Sequence, residues 1–264
     1  MHKAKKRFGQ NFLIDEQIIA HIVEAIRPEP EDNMVEIGPG LGALTRPLLK
    51  RLNRLHAVEI DRDIIGRLEH DYPQCQTESR LAIHAGDALE FDFASLPAPL
   101  RIVGNLPYNI SSPLLFRFAS YTDRIRDMHF MLQNEVVERM VAAHSTPEYG
   151  RLSVMLQYRF NMEKLLDVPP ESFRPEPKVS SAVVRMIPLP AGETRLHHEK
   201  LFADIVGAAF GQRRKTLRNT LRNYLSEDDF DRLDLDSRLR AENLDVKTFI
   251  TIANYLGEFR RNLN

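Results

Sequence analysis

The segment Met34-Val35-Glu36-Ile37-Gly38-Pro39-Gly40-Leu41-Gly42 runs from a short apolar stretch straight into alternating glycines. Its first four residues read as a buried strand, and the residues after it, Ala43 to Leu52, carry apolar side chains at helical spacing. Glycines at such a junction let the backbone approach a ligand closely and leave the amino terminus of the next helix pointing at it. Strand, glycine turn and helix together open a parallel α/β unit.

Working outward, Leu55-His56-Ala57-Val58-Glu59-Ile60 is a second strand with Glu59 at its tip, placed to take two ribose hydroxyls. Leu81 to Ala85 is a third and leads into Gly86-Asp87-Ala88, where Asp87 either accepts from an adenine amine or caps a short turn. Leu100, Ile102 and Val103 form a fourth strand that ends in Gly104-Asn105-Leu106-Pro107-Tyr108. Asn105 Oδ1 and the Leu106 carbonyl can accept hydrogen bonds from an exocyclic amine, and Tyr108 can stack on the base that carries it. An ordinary strand-to-helix turn would use the same residues as cap and core filler. Met128 to Leu132 is a fifth strand. Ligands of parallel sheets bind outside the carboxyl ends of the strands, so one nucleoside site accounts for polar groups at four successive tips.

The glycine turn is G-x-G-x-G with no phosphate-binding Lys or Arg nearby, unlike the G-x-G-x-x-G of nicotinamide binders. A G-x-x-x-x-G-K-[ST] pattern is absent, which argues against a nucleoside triphosphatase. S-adenosylmethionine has ribose and adenine but no phosphate, and it fits this pattern.

Before the core, Asp15 caps an amphipathic helix through Ile18, Ile19, Ile22, Val23 and Ile26. Beyond it, Leu152 to Phe160 and Val179 to Ile187 alternate as an antiparallel strand pair. The proline-rich loop between them presents Phe173, either as a stacking platform for a base or as a plug into the core. Pro188 to Gly192 reads as a linker. The patterns after it are helical: His198 to Phe210, Arg213 to Leu225, Glu227 to Leu233 and Val246 to Phe259. The expected organisation is an α/β domain over 1–188 and a small helical domain over 189–264.

A formal net charge of -1 hides an uneven distribution. Lys3, Lys5, Lys6 and Arg7 cluster at the start, Arg213, Arg214, Lys215, Arg218 and Arg222 cluster late, and Glu227 to Asp236 is acidic. Two basic segments in a neutral chain suit a localised nucleic-acid footprint, or merely two solvated faces. No apolar run approaches the roughly 20 residues needed to span a bilayer, and no signal core follows the first charges, so a cytoplasmic protein without a membrane partner is expected. The single cysteine, Cys75, and nine histidines without ligand spacing predict no structural metal.

Over essentially its full length the chain resembles the bacterial ribosomal small-subunit RNA adenine dimethyltransferases. The resemblance is carried by Gly9 to Leu13, Glu36 to Gly42, Glu59-Ile60-Asp61, Gly86-Asp87-Ala88, Asn105 to Tyr108, Phe173-Arg174-Pro175 and Phe210 to Leu217. It implies a Rossmann-like sheet of seven strands, a helical carboxyl-terminal domain and S-adenosylmethionine as cofactor. It implies a cofactor site of Asn11, Leu13, Gly38, Gly40, Glu59, Asp87 and Asn105, and catalytic work by Asn105, Leu106, Pro107, Tyr108 and Phe173. The implied substrate is a pair of adjacent adenosines near the 3′ end of small-subunit ribosomal RNA, each dimethylated, within a pre-30S particle by a monomer. Lys5, Lys6, Arg7 and the late basic cluster are the candidate RNA contacts. Rival readings are an RNA-binding assembly factor whose methylation is secondary, and an adenine methyltransferase acting on another nucleic acid.

Overall fold

The computed structural model describes residues 10–107, 110–190, 192–193 and 196–261. The chain divides into two compact units, Met1–Val137 with Met162–Pro188, and Glu138–Asn161 with Leu189–Asn264.

In the first unit, β1 (Phe12–Leu13) precedes α1 (Glu16–Ile26), which starts where Asp15 accepts from the amides of Gln17 and Ile18. Then follow β2 (Asn33–Ile37), α2 (Thr45–Leu49), β3 (Leu55–Glu59), α3 (Arg62–Asp71), α4 (Pro73–Thr77), β4 (Leu81–Ala85), β5 (Leu100–Asn105), α5 (Ser111–Phe118) and β6 (Ile125–Gln133). The helix α6 (Asn134–Val141) spans the division between units, and α7 (Arg151–Gln157) belongs to the second. The chain continues through β7 (Phe160–Val168), β8 (Phe173–Arg174) and β9 (Ser181–Pro188).

The sheet has seven strands in the order β4-β3-β2-β5-β6-β9-β7, parallel from β4 to β6 and antiparallel between β6 and β9. Its central strands are buried on both faces. Met34, Leu55, Ile102, Val103 and Phe130 are fully buried, and each such side chain contributes roughly 1.5–3 kcal/mol on leaving water. Gly104 pairs with Ile37 in register, and a Cβ there would stand 2.5 Å from the Ile37 carbonyl oxygen. Any side chain at 104 would therefore push β2 and β5 apart where the site begins.

At the opposite end of β5, buried Arg101 holds the frame together. Its guanidinium bonds Asp127 at 3.0 Å, Asp32 at 2.6 Å and the Ile26 and Arg27 carbonyls that end α1. With both carboxylates and two orphan carbonyls satisfied, this buried charge is fully paired.

In the second unit, α8 (Glu199–Phe210) and α11 (Val246–Arg261) bury Phe202, Ile205, Val206, Phe249, Ile252 and Ala253 in one apolar cluster, together with Val154 of α7. Between them lie α9 (Leu217–Thr220) and α10 (Glu227–Arg232), the latter begun by a Ser226–Asp229 capping box.

Three expectations need correction. Leu152 to Phe160 is not a strand: Gly150 N–H donates to Ser153 Oγ, whose hydroxyl donates to the Arg139 carbonyl, and the run winds into α7. A short apolar run has no period long enough to separate the two structures, and the strand lies later, at β7. The boundary at Pro188 recurs, but Glu138–Asn161 groups with the carboxyl-terminal unit rather than with 1–188. Arg213 to Leu225 is not one helix, because the amides of Leu217 and Arg218 bond the carbonyls of Leu239 and Ser237. Only α9 is helical there, although Leu217, Leu221 and Leu225 are buried as the apolar stripe required.

Candidate active site

The carboxyl ends of β2, β3, β4 and β5 converge on a cavity of about 160 Å³. Its lining includes Asn11, Leu13, Gly38, Gly40, Glu59, Asp87, Asn105, Leu106 and Pro107, so the expected cofactor residues and most of the expected catalytic motif meet at one place. Tyr108 lies outside the described residues, as do Lys3, Lys5, Lys6 and Arg7.

Each polar group is held by a specific partner. Glu59 Oε1 accepts from the amides of Ile60 and Asp61, both at 2.9 Å. Burial raises its carboxyl above the usual range, opposed by those amides and by the Gly40 amide. Asp87 Oδ1 accepts from the Leu89 amide at 2.8 Å, so the acid caps its turn and also lines the cavity. Asn105 Nδ2 donates to the Asn11 carbonyl at 3.0 Å, which leaves the amide oxygen as the accepting atom of that side chain.

The segment from Gln10 to Ile14 is a strap along the cavity. Gln10 Nε2 donates to Asp61 Oδ2 at 3.0 Å, the Phe12 ring lies 3.2 Å from where a Cβ on Gly40 would stand, and Gly40 has φ +55°. Phe12 and Leu13 pair with Arg174 and Phe173 in a two-stranded sheet, continued by Ile14 N–H to the Ser172 carbonyl at 2.8 Å. Phe173 is 1% exposed and packs with Leu13, Ile19, Val103 and Val183. That corrects its expected place among the catalytic residues. A ring with no free face is no stacking platform, and Phe173 instead anchors the strand that holds the strap.

Sequence reasoning gave no site role to Phe12, Ile60 or Glu36, although all three line the cavity. Ile60 is 47% exposed directly after Glu59, an apolar face next to that acid. Glu36 is 2% exposed, and Thr45 Oγ1 donates to its Oε2 at 2.7 Å. Its signal was visible: one acid inside the apolar run Met34-Val35-Glu36-Ile37.

The lining contains the acids Glu36, Glu59 and Asp87 and no Lys, Arg or His among the described residues. Such a donor set repels a phosphate and suits a ligand that carries ribose, adenine and a positive charge, which is the chemistry of S-adenosylmethionine. Glu59 would hold the ribose, Asp87 the adenine amine, and the Gly38 to Gly42 backbone would face the amino-acid end.

The five side chains of the late basic cluster, Arg213, Arg214, Lys215, Arg218 and Arg222, are all exposed. Arg213 donates to the Pro147 carbonyl and lies 3.9 Å from Glu242, while Arg218 pairs with Glu227 at 2.6 Å.

A family model described as ribosomal RNA adenine dimethylase matches residues 1–258. The chain is 61% identical over 259 residues to the ribosomal RNA small subunit methyltransferase A of Nitrosospira multiformis, covering 98% of each. It is 62% identical over 257 residues to the protein of the same name in Thiobacillus denitrificans, covering 97% of this chain and 99% of that one. A dimethyladenosine transferase from Plasmodium falciparum has a similar structure, with a TM-score of 0.80 and 26% identity over 93% of this chain and 98% of that one.

Proposed function

The chain belongs to the ribosomal RNA adenine dimethylase family, and from that premise we propose that it dimethylates two adjacent adenosines near the 3′ end of small-subunit ribosomal RNA. It is an S-adenosylmethionine-dependent methyltransferase. Its substrate in this reading is the RNA within a pre-30S particle, met in the cytoplasm by a monomer. Among the described residues no helix is long and apolar enough to cross a membrane.

The observation that carries this reading is the fixed carboxamide of Asn105, which lines the same cavity as Glu59 and Asp87. When bound, S-adenosylmethionine supplies an electrophilic methyl group on sulfur. An adenine amine is a weak nucleophile because its lone pair is delocalised into the ring. Asn105 Oδ1 and the Leu106 carbonyl accept its two hydrogens and turn the lone pair toward the methyl group. Pro107 stiffens the turn, and Tyr108 stacks on the extruded base, an interaction of about 1–3 kcal/mol that offsets the cost of unstacking. No strong base is required, since the alkylated amine is acidic and sheds its proton to water. Orientation and fixed dipoles supply the rate. Exposed Arg214, Lys215, Arg218 and Arg222, with Arg213 and the amino-terminal Lys5, Lys6 and Arg7, hold phosphates.

Incubating the purified protein with S-adenosylmethionine and small subunits from cells that lack the modification tests the reading. Mass spectrometry of the recovered RNA should find two adjacent dimethyladenosines near its 3′ end. Unmodified RNA, or methylation only of DNA supplied in parallel, would overturn it.

A further inference from the structure

Among the described residues, Glu36 is the ionisable group of the cavity that the mechanism above leaves unused. It lies in β2 with Ala57 of β3 and Val103 of β5 in register on either side. The groups that act on it are Glu59 from β3 and the Thr45 hydroxyl and amide from α2; its charge in turn acts on the Tyr72 phenol beyond α3, which Arg46 bonds. β5 faces it with an apolar residue. Among the described residues, the interactions that set its ionisation include no cation. Burial, the largest influence, pushes its carboxyl up to about 7 against the Thr45 hydroxyl, and the charge of Glu59 adds to the rise.

Resting on the S-adenosylmethionine reading, we propose that Glu36 is the charge-discriminating residue of the site: its carboxylate favours the sulfonium cofactor, and its protonation accompanies binding of the thioether product. Methyl transfer breaks the S–CH3 bond, leaves that electron pair on sulfur and forms an N–CH3 bond from the nitrogen lone pair, so a cation in the cavity becomes neutral. A cation in a low-dielectric site stabilises a nearby carboxylate, and by linkage the carboxylate raises affinity for the cation. Once the charge has gone, two buried carboxylates face each other uncompensated, and Glu36 takes a proton from solvent. An enzyme that makes repeated transfers gains from this, because the spent product loses the attraction that held the cofactor.

Calorimetric titration of the full chain with S-adenosylmethionine and with S-adenosylhomocysteine, in buffers of different ionisation enthalpy, counts the protons exchanged. Near neutral pH the cofactor should release up to about half a proton and the product should cause uptake. In Glu36→Gln the share of both exchanges that belongs to Glu36 disappears, and preference for cofactor over product falls by about 10-fold or more, the equivalent of one pKa unit. The amino group of the ligands titrates in both proteins and drops out of the difference. Thr45→Val removes the hydroxyl that favours the carboxylate and should move the midpoint of cofactor affinity to higher pH, which keeps the proposal testable where Glu36→Gln does not fold. Proton counts equal in wild type and Glu36→Gln, or an unmoved midpoint in Thr45→Val, overturn it while leaving the cofactor reading standing. A wild-type protein that binds neither ligand overturns both.

Discussion

The Asn105 side-chain amide and the Asn11 backbone carbonyl are joined at 3.0 Å across 94 residues of chain. The bond fixes which atom of the carboxamide is left to accept, and it makes the strap before α1 part of the site. Asn105→Ala should lose at least about 100-fold in turnover, comparable to removing one oriented donor or acceptor from a preorganised site. Cofactor affinity should fall far less, by about one hydrogen bond's worth. Asn105→Asp should be no better, because it sets a second acceptor against the Asn11 carbonyl. Single-turnover rates with equilibrium binding of S-adenosylmethionine separate the two effects. A variant that still dimethylates at the wild-type rate would refute the mechanism.

Glu59 accepts from two backbone amides and in the proposed reading also holds the ribose, and substitution can separate the two. Glu59→Gln keeps an acceptor for the Ile60 and Asp61 amides but loses the charge, so it should weaken cofactor binding by about 1.5–3 kcal/mol with little change in Tm. Glu59→Ala also orphans those amides and should lower Tm as well. Calorimetry and thermal melts measure both, and unchanged affinity in the two variants would remove Glu59 from the site.

For the basic segment, the prediction concerns salt dependence. Arg218 is exposed and paired with Glu227, and Arg222 is exposed. Arg218→Ala with Arg222→Ala should weaken binding to ribosomal RNA or the small subunit. It should flatten the slope of log affinity against log salt by about 0.7–0.9 for each phosphate no longer neutralised, leaving cofactor affinity unchanged. A slope equal to that of wild type would make these arginines a solvated face.

Acid should destabilise the protein through two buried histidines. Burial lowers both His129 and His56 to about 4, with Asp127 opposing the shift at His129 and Arg54 and His84 reinforcing it at His56. A histidine whose folded value is depressed stabilises the fold fully above its unfolded value near 6.5, and that contribution is lost as pH falls toward 4. Glu36 has the opposite sign: its raised carboxyl stabilises the fold below its unfolded value, and the contribution is lost as pH rises through about 7. In urea titrations, His129→Leu should reduce the stability lost between about pH 6.5 and pH 4.5 by roughly 2–3 kcal/mol. An identical loss in wild type and variant would mean that His129 is already protonated or solvated in the fold.

Strand, glycine turn and helix are local patterns, and so are acids and amides at strand tips. Residue order alone therefore determined the parallel sheet and the place of Glu59, Asp87 and Asn105 at its strand tips. What tertiary structure decided depends on neighbours distant along the chain. Phe173 is a core anchor because β1 pairs with β8, and a loop phenylalanine carries no mark of which face it buries. Arg101 reads as an interruption of an apolar strand until Asp32 and Asp127, 69 and 26 residues away, close around it. The helix at Arg151–Gln157 and the turns around Arg213 are set by hydrogen bonds to Arg139 and to Ser237 and Leu239, which override a short periodic pattern. Glu36 is the clearest case. Its position in the strand was legible from the start, but a carboxyl held near neutrality arises only when folding takes it out of water beside a second acid.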